Sequence, residues 1–426
     1  SFERIGMPEG RFPLAQAALY LATAPKSNTT FSFFDALTAV EKEQEADVPN
    51  HLKDGNRDKE GFGHGKGYLY PHAYTDHWVA QQYLPETLQG NMFYEPSDQG
   101  YEQTIREQVE RRREAQLAAM LEVGDRHLEI AEVLSTSPTD RKKDAWLQRT
   151  IAGNGQALGQ IRDKLFERAV VQRHHLLLDL EAGTGLLTWE AVRKAPEGGV
   201  WALSSDQKNG EALREQANRL SEIERPTILL GALDELTYLL TLRGEEDIRF
   251  DRVLGRNLFT RSRETATAVS ALVLGQLNEN GRFCLAQTIP QQSQRLYNLV
   301  DWKGQPDALL QKVKAAEETI YSDPTDDLVN WNGETLVELI QSTGFASVEI
   351  DYLIDKQSRY IQKAQLQRWF EDNEGTNGRL SYKARLAQQG MSGEELTAVE
   401  RLYRQQLQEQ TVLWQTTTGI IISKTS

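Results

Sequence analysis

The chain has 426 residues, 39% of them apolar, which is enough to build sizeable buried cores, and no apolar run reaches the length of a membrane-spanning helix. Its formal net charge is −14 and both halves are acidic, which argues against a basic surface that binds a nucleic-acid backbone. The one cysteine, Cys284, excludes an internal disulfide and a multi-cysteine metal centre, and favours a reducing, cytoplasmic compartment.

The first hundred residues predict two helices and then a long irregular segment. Apolar residues at three- and four-residue spacing predict a helix over residues 14–24, with Pro13 in its first turn, and a second helix over about residues 28–45. The second helix would turn one apolar face inward, made of Phe31, Phe34, Leu37 and Val40. Residues 48–100 are rich in Gly, Pro, His and Tyr without a clear period, which is typical of an interface or a functional segment.

The middle of the chain predicts charged helices. They are expected over residues 101–123 and 125–134, with one or two more within residues 140–169. From about residue 171 the pattern changes to short apolar strands that alternate with helices. The strands are expected at residues 176–180, 199–203, 228–230, 252–254 and 282–286, and Cys284 in the last of them would be a buried core residue.

Strands and helices that alternate in this way predict a parallel sheet with helices on both faces. Two late strands are expected at residues 348–352 and 419–423, separated by a charged helical segment over residues 363–410. The expected fold class is therefore an all-helical N-terminal domain followed by a Rossmann-like α/β/α sandwich. The expected boundaries are 1–115 for the first domain, 116–170 for a helical connector and 171–426 for the sandwich.

Four ordered motifs near the start of the chain carry a resemblance. They are RIGMPEGR at residues 4–11, VPNHLKD at 48–54, GYLYPH at 67–72 and FYEPS at 93–97. Residues 1–115 thereby closely resemble the C-terminal region of the replication-associated recombination protein A family of AAA+ ATPases. The resemblance implies a helical oligomerisation region that packs subunits into a homotetramer, with the ATPase domain and its ATP lying upstream. It also implies a role at stalled replication forks, with single-stranded-DNA-binding protein and DNA as partners.

Two local patterns in the irregular segment invite other interpretations. Gly65 and Lys66 lie in a glycine-rich string, but no Ser or Thr follows to bind magnesium, so we expect no ATP site in this chain. His64, His72 and His77 lack the spacing of a helical ligand pair, so we expect hydrogen-bonded histidines rather than a metal site. The aromatic residues of the segment are compatible either with an interface or with an ordinary core; they are Tyr68, Tyr70, Tyr83, Phe93 and Tyr94.

The glycine-rich turn after the first predicted strand carries a second resemblance. The string DLEAGTG at residues 179–185 resembles the first motif of class I S-adenosylmethionine-dependent methyltransferases, usually Asp/Glu-x-Gly-x-Gly-x-Gly. Together with the order of later elements, the resemblance covers residues 171–426 and implies an S-adenosylmethionine cleft at the ends of the strands. The positions that match the cofactor-binding residues of that family are Asp179, Glu181, Gly183, Gly185, Ser204, Asp206 and Asp234.

Three of these positions depart from the family pattern. Glu181 replaces a glycine, and its carboxylate would point toward the methionine end of the cofactor. Ser204 stands where an acid binds the ribose, with Asp206 two residues later, and Asp234 likewise follows two residues after the place of the adenine-binding acid. Each lost hydrogen bond costs on the order of 1 kcal/mol, and a buried unpaired carboxylate costs more. No catalytic residue can be assigned.

The departures favour a degenerate methyltransferase-like domain kept for binding or assembly. An active S-adenosylmethionine-dependent methyltransferase acting on a protein or nucleic acid is the alternative, and a third is a different, acidic ligand near Arg256, Arg261 and Arg263. Two families joined in one chain resemble a fusion of the type associated with cyanobacteria. The chain opens on Ser1 rather than Met, and we expect it to be a fragment whose ATPase domain is missing.

Overall fold

The computed structural model describes residues 2–42, 48–49, 52–53, 68, 70–71, 78–81, 83–85, 88, 91–131, 141–259, 262–322, 329, 331–361, 363–371, 374–375 and 379–425. The chain forms two compact units, one of residues 1–68 and 82–114, the other of residues 69–81 and 115–426. None of the helices in the described ranges combines the length and the apolar character that crossing a membrane requires.

The N-terminal part of the chain is helical, as predicted. Its helices are α1 Phe2–Ile5, α2 Arg11–Thr23, α3 Ser32–Lys42 and α4 Gly100–Ala131, and a short 3-10 turn over Thr29–Phe31 leads into α3. Pro13 lies in the first turn of α2, where its missing N–H leaves no hydrogen bond unmade. The predicted break near residue 124 is wrong, because α4 is continuous there. One interior glycine costs a helix only about 1 kcal/mol, which its other residues offset.

The second unit is built on a seven-stranded sheet with helices around it. The helix before the sheet is α5 Arg141–Ala169. The strands are β1 Leu176–Asp179, β2 Gly199–Ser204, β3 Thr227–Leu230, β4 Phe250–Arg256, β5 Leu277–Thr288, β6 Ser347–Ile361, the short pair β7 Glu374–Gly375 and β8 Arg379–Leu380, and β9 Gln410–Lys424. The other helices are α6 Thr188–Lys194, α7 Gln207–Ala217, α8 Leu236–Leu242, α9 Arg263–Gln276, α10 Asp307–Ser322, α11 Gly333–Ser342, α12 Lys363–Trp369, α13 Tyr382–Gln388 and α14 Gly393–Leu407.

The strand order of the sheet is β3-β2-β1-β4-β5-β9-β6. The first five strands are parallel, and β9 is inserted antiparallel between β5 and β6. The chain fills one side of β1 with β2 and β3, and then crosses to the other side to form β4 and β5. This doubly wound order confirms the predicted Rossmann-like α/β fold, and its switch point lies between β1 and β4.

Alternate residues along the strands enter two different cores, one on each face of the sheet. Leu178 and Leu285 belong to one core, whereas Leu177 and Cys284 belong to the other. Leu165 and Phe166 of α5 also enter the second core. Cys284 is fully buried, as predicted, and burial raises the pKa of its thiol to about 12.

The late strands are much longer than predicted. The ladder between β5 and β9 ends at the pair Thr288–Thr418, whereas the ladder between β6 and β9 continues to the pair Ile361–Gln410. Residues 354–361 and 410–417 therefore form a two-stranded ribbon that extends past the carboxyl ends of the parallel strands. The predicted single helical segment over residues 363–410 is instead three helices with the β7–β8 hairpin among them, and these helices share a third core with α10.

Candidate functional site

The carboxyl ends of β1, β2 and β4 form the candidate site, because ligands of doubly wound sheets bind outside this edge at the switch point. The turn after β1 has the tight geometry that its glycines predict. Gly183 has a φ of +51° and Gly185 a φ of +90°, both in the region that favours glycine. A Cβ on Gly185 would lie 2.2 Å from Nε1 of Trp189, whereas a Cβ on Gly183 would meet open space.

Asp179 ends β1 and is completely buried. Its Oδ2 accepts a hydrogen bond from Oγ1 of Thr188 at 2.7 Å, at the start of α6. Burial raises the pKa of Asp179 to about 6, and the Thr188 hydroxyl opposes that shift only in part. The side chain is therefore a poorly solvated acid that is directed toward α6.

Glu181 bridges the ends of two strands. Its Oε1 accepts a hydrogen bond from Oγ of Ser205 at 3.1 Å, and Ser205 directly follows β2. Burial raises the pKa of Glu181, while the Ser205 hydroxyl and the nearby charge of Arg256 lower it. The exposed Glu181 side chain thus links the turn after β1 to the residue after β2, at a position where the first-motif glycine of the resembled family has no side chain.

The polar residues at the end of β2 make hydrogen bonds with neighbouring residues of the chain. Ser204 is buried, and its Oγ donates to the backbone oxygen of Asp206 at 2.9 Å. Asp206 caps α7 by accepting the backbone N–H of Asn209 at 2.8 Å. An N-cap carboxylate is stabilised by the helix start and satisfies a backbone donor. Asp206 therefore already has a structural role, and Ser204 supplies no carboxylate.

Asp234 is exposed in the turn after β3. Glu235, its neighbour, fixes that turn by accepting the backbone N–H of Ala232 at 2.8 Å. The charge of Glu181 helps to raise the pKa of Asp179, and the charge of Asp206 helps to raise the pKa of Glu181, whereas Arg256 at the end of β4 lowers both. The structure therefore brings three of the four predicted acids together and leaves Asp234 at the rim.

Arg256, Arg261 and Arg263 were predicted to receive an acidic ligand. Arg256 faces the acids of the site, and Arg263 lies over the ring of Trp331 with 5.6 Å between its guanidinium carbon and the ring centroid. Arg261 lies outside the described residues, as do His64, His72 and His77. Among the residues that the structure describes, no group of three or more His, Cys, Asp or Glu side chains could hold a metal ion.

Sequence reasoning missed the residues that fix the loop after β4. Asn257 has a φ of +51°, and its Oδ1 accepts hydrogen bonds from the backbone N–H and the hydroxyl of Thr288 at 2.9 and 3.1 Å. Gln287 accepts the backbone N–H of Phe259 and donates to its carbonyl. Asparagine adopts the left-handed backbone conformation more readily than most residues do, so an asparagine directly after a predicted strand was the signal in the sequence.

A second candidate site lies on the helices of the first unit. Among the described side chains of α2 and α3 none is buried. The predicted inner face of α3, which includes Phe34 and Leu37, is exposed in the single chain. We define the exposed apolar set as the large side chains that stand most clearly in solvent on these helices: Phe12, Leu19, Tyr20 and Leu21 of α2, with Phe33 and Phe34 of α3.

A polar cluster around Glu102 orders the start of α4. The carboxylate accepts hydrogen bonds from the hydroxyls of Ser27, Thr29, Tyr94 and Ser97, and from the backbone N–H of Ser97. The hydrogen bonds from Ser97, Thr29 and Ser27 lower the pKa of Glu102 to about 2. The aromatic residues of the irregular segment have mixed exposure: Phe93 and Tyr94 are half-buried, whereas Tyr68, Tyr70 and Tyr83 are exposed.

These features define a helical module followed by a Rossmann-like domain, and comparison with known proteins shows what the module is similar to. Residues 1–113 match the family described as MgsA AAA+ ATPase C terminal. The replication-associated recombination protein A of Bacillus subtilis (strain 168) is 41% identical over 109 residues, which are 25% of this chain and 26% of that protein. The predicted resemblance is confirmed for this region, and the chain spans about a quarter of the length of such relatives.

Solved structures similar to the chain include a cyclopropane synthase and a methyltransferase. The cyclopropane synthase MmaA2 from Mycobacterium tuberculosis is 12% identical, covers 64% of this chain and 85% of its own, and has a TM-score of 0.34. The CcbJ methyltransferase from Streptomyces caelestis is 18% identical, covers 31% of this chain and 53% of its own, and has a TM-score of 0.27. The fold assignment rests on the strand order, since TM-scores this low support no functional conclusion.

Proposed function

We propose that the chain is the part of a replication-associated recombination ATPase that follows its ATPase domain, and that the first unit assembles copies of the chain. The second unit is proposed to be a methyltransferase-like domain that no longer holds S-adenosylmethionine. The proposal includes a homotetramer in the cytoplasm, ATP bound only upstream, and single-stranded-DNA-binding protein and DNA as partners at stalled forks. The observation that carries the assembly is the exposed apolar set.

The helix α2 supports assembly most strongly. Its large apolar side chains point in several directions around the helix, and Tyr20 and Leu21 are 71% and 73% exposed. A helix that is apolar all round is normally buried, and exposed apolar patches of this kind mark interaction sites. Burying one large apolar side chain contributes roughly 1.5–3 kcal/mol. The exposed apolar set thus supplies on the order of 10 kcal/mol against the cost of association.

Sedimentation velocity over a wide concentration range tests the assembly. We expect the unmodified chain to sediment as a larger oligomer than the Leu21→Asp variant, because a charge on α2 cannot be buried in the interface of the first unit without a partner. The matched control is Ile223→Asp in the second unit, where the isoleucine is 89% exposed. A monomeric unmodified chain, or equal behaviour of the two variants, would contradict the proposal.

The bridge between Glu181 and Ser205 supports the loss of cofactor binding. The Glu181 carboxylate is hydrogen-bonded to Ser205, and Asp206, two residues past the end of β2, already caps α7. A cofactor would have to displace the Ser205 hydroxyl from the carboxylate, and it would find no strand-end acid for its ribose. Both effects weaken binding.

Replacing Glu181 tests this explanation. We expect S-adenosylhomocysteine to raise the melting temperature of the Glu181→Gly variant, since a ligand that binds the folded state stabilises it. The unmodified chain and the Glu181→Gln control, which keeps the side-chain volume, are expected to show no rise. If the unmodified chain is stabilised as much as Glu181→Gly, the rival interpretation of a cofactor-binding methyltransferase is favoured.

A further inference from the structure

The long edge strand β6 has an outer edge that none of the described strands of the second unit covers. Along the described part of this unit, β6 pairs only with β9, over all of Ser347–Ile361. A strand this long at a sheet edge presents a row of backbone donors and acceptors to any strand that approaches it. Natural proteins cover such edges or pair them with another chain.

Exposed apolar side chains lie on one face of this edge. Tyr352 and Ile354 are two residues apart on β6 and therefore share a face. Leu413 of β9 is paired with Ser358, which places it on the same face. These side chains are 44%, 58% and 60% exposed, so this face of the ribbon carries an apolar stripe.

The charges of β6 are arranged to complement a second β6. Its first half carries Glu349 and Asp351, and its second half carries Lys356 and Arg359 together with one acid, Asp355. Two such strands that run antiparallel and cross at Ile354 place Glu349 of one copy opposite Arg359 of the other. In the same arrangement no two like charges are opposed, and Tyr352 lies opposite Lys356.

The charged residues at the two ends of β6 are already held in place. Glu349 accepts hydrogen bonds from Lys424 at 2.9 Å and Arg168 at 2.8 Å, yet its side chain remains 48% exposed. The guanidinium of Arg359 lies 4.2 Å from the ring centroid of Trp414. Such contacts reduce the entropy that the side chains lose when a second strand arrives.

Of the neighbouring alignments, only this one joins the apolar stripes of the two copies without opposing like charges. A shift by one residue would place the stripe of one copy beside the opposite face of the other, because successive side chains alternate. A shift by two residues would oppose Asp351 to Asp355, or Asp355 to itself. Like charges directly opposite are destabilising.

We propose that the outer edge of β6 pairs with β6 of a second copy of this chain, antiparallel and with a two-fold axis at Ile354. The surface is separate from the exposed apolar set, so this inference does not depend on the assembly proposed for the first unit. In this arrangement, the edge of β6 is covered by the same edge of a second copy of the chain, which is complementary to it about a two-fold axis.

Cysteine cross-linking in the full chain tests the pairing. The native Cys284 is fully buried, so the Ile354→Cys variant presents one reactive thiol at the proposed axis. With a short bismaleimide we expect most Ile354→Cys chains to become covalent dimers. A mixture of Tyr352→Cys and Lys356→Cys chains is expected to link as well, because these positions face each other.

Two controls separate pairing from mere proximity of assembled copies. Leu242→Cys, at a residue 65% exposed on α8, is expected to stay at background. Tyr352→Cys alone is expected to link poorly, since the two copies of residue 352 would be four residues apart along the strands, about 13 Å. Linking of Ile354→Cys no stronger than that of Leu242→Cys, or self-linking of Tyr352→Cys as strong as that of Ile354→Cys, would overturn the proposal.

Discussion

At the residue scale, Asp179 shows that an ionised acid buried in the site lowers the stability of the fold. Its pKa of about 6, against an ordinary value of 3.8, means that the folded chain keeps this proton to a higher pH than the unfolded chain does. Folding stability therefore falls as the pH rises from about 4 to about 6. At neutral pH the full free-energy cost of ionising the buried carboxyl is present. Two pKa units correspond to about 3 kcal/mol.

We therefore predict that Asp179→Asn raises the free energy of unfolding at pH 7 by up to about 3 kcal/mol. An asparagine oxygen can still accept the hydrogen bond of Thr188, while no charge is buried. The gain should fade as the pH is lowered from about 6 to about 4, as measured by urea unfolding. Asp234→Asn, at the exposed rim, should change stability by less than about 0.5 kcal/mol, and a loss of stability in Asp179→Asn at pH 7 would contradict the prediction.

Glu102 titrates in the opposite sense. Its pKa of about 2, below an ordinary 4.5, means that its hydrogen bonds stabilise the first unit above about pH 4.5 and are lost as the pH falls toward 2. We predict that Glu102→Gln lowers the melting temperature at pH 7, measured by tyrosine circular dichroism. The difference in melting temperature from the unmodified chain should shrink as the pH falls from 4.5 to 2. A difference that stays constant over this range would contradict a stabilising role of the ionised Glu102.

Single residues of the candidate site were predictable only where the chemistry is local. The need for glycine at residues 183 and 185 follows from the motif, and the structure shows the left-handed φ values that require it. The pairing of Glu181 with Ser205, in contrast, joins residues that follow two different strands. Such a pair depends on how β1 and β2 are aligned in the sheet, which no local pattern contains.

At the scale of elements, the turn between β1 and α6 gives a matched pair of substitutions. Both glycines have positive φ, but only Gly185 lies against other atoms, with Trp189 and Leu213 within 3 Å of a Cβ placed there. Gly183→Ala should cost about 1–2 kcal/mol from backbone strain alone. Gly185→Ala should cost roughly 2–5 kcal/mol, because overpacking adds to the strain. Equal unfolding midpoints in urea for the two variants would contradict this account of the turn.

The centres of the elements were predicted better than their ends. The five parallel strands are found where continuous apolar runs predict them, because a strand buried on both faces requires such runs. The second half of β6 is polar and half exposed, so its sequence carries no such signal. Its length depends on pairing with β9, which is distant in sequence. The continuity of α4 through Gly124 was missed for a related reason, since one residue alone does not decide where a helix ends.

At the scale of the whole molecule, the two units offer different features for binding. The first unit presents apolar helices that a single chain leaves uncovered. The second unit retains the doubly wound sheet and its glycine turn, while acids at the strand ends are bonded to neighbouring parts of the chain. The account therefore predicts a chain that associates through its surfaces and leaves its cleft without S-adenosylmethionine.

Isothermal titration of S-adenosylhomocysteine into the unmodified chain tests this central claim most directly. We predict no heat of binding beyond dilution up to the solubility of the ligand, because the Glu181 carboxylate is hydrogen-bonded to Ser205 and the Asp206 carboxylate caps α7. Saturable binding with a dissociation constant in the micromolar range, about −8 kcal/mol, would contradict it and identify the cleft as a working cofactor site.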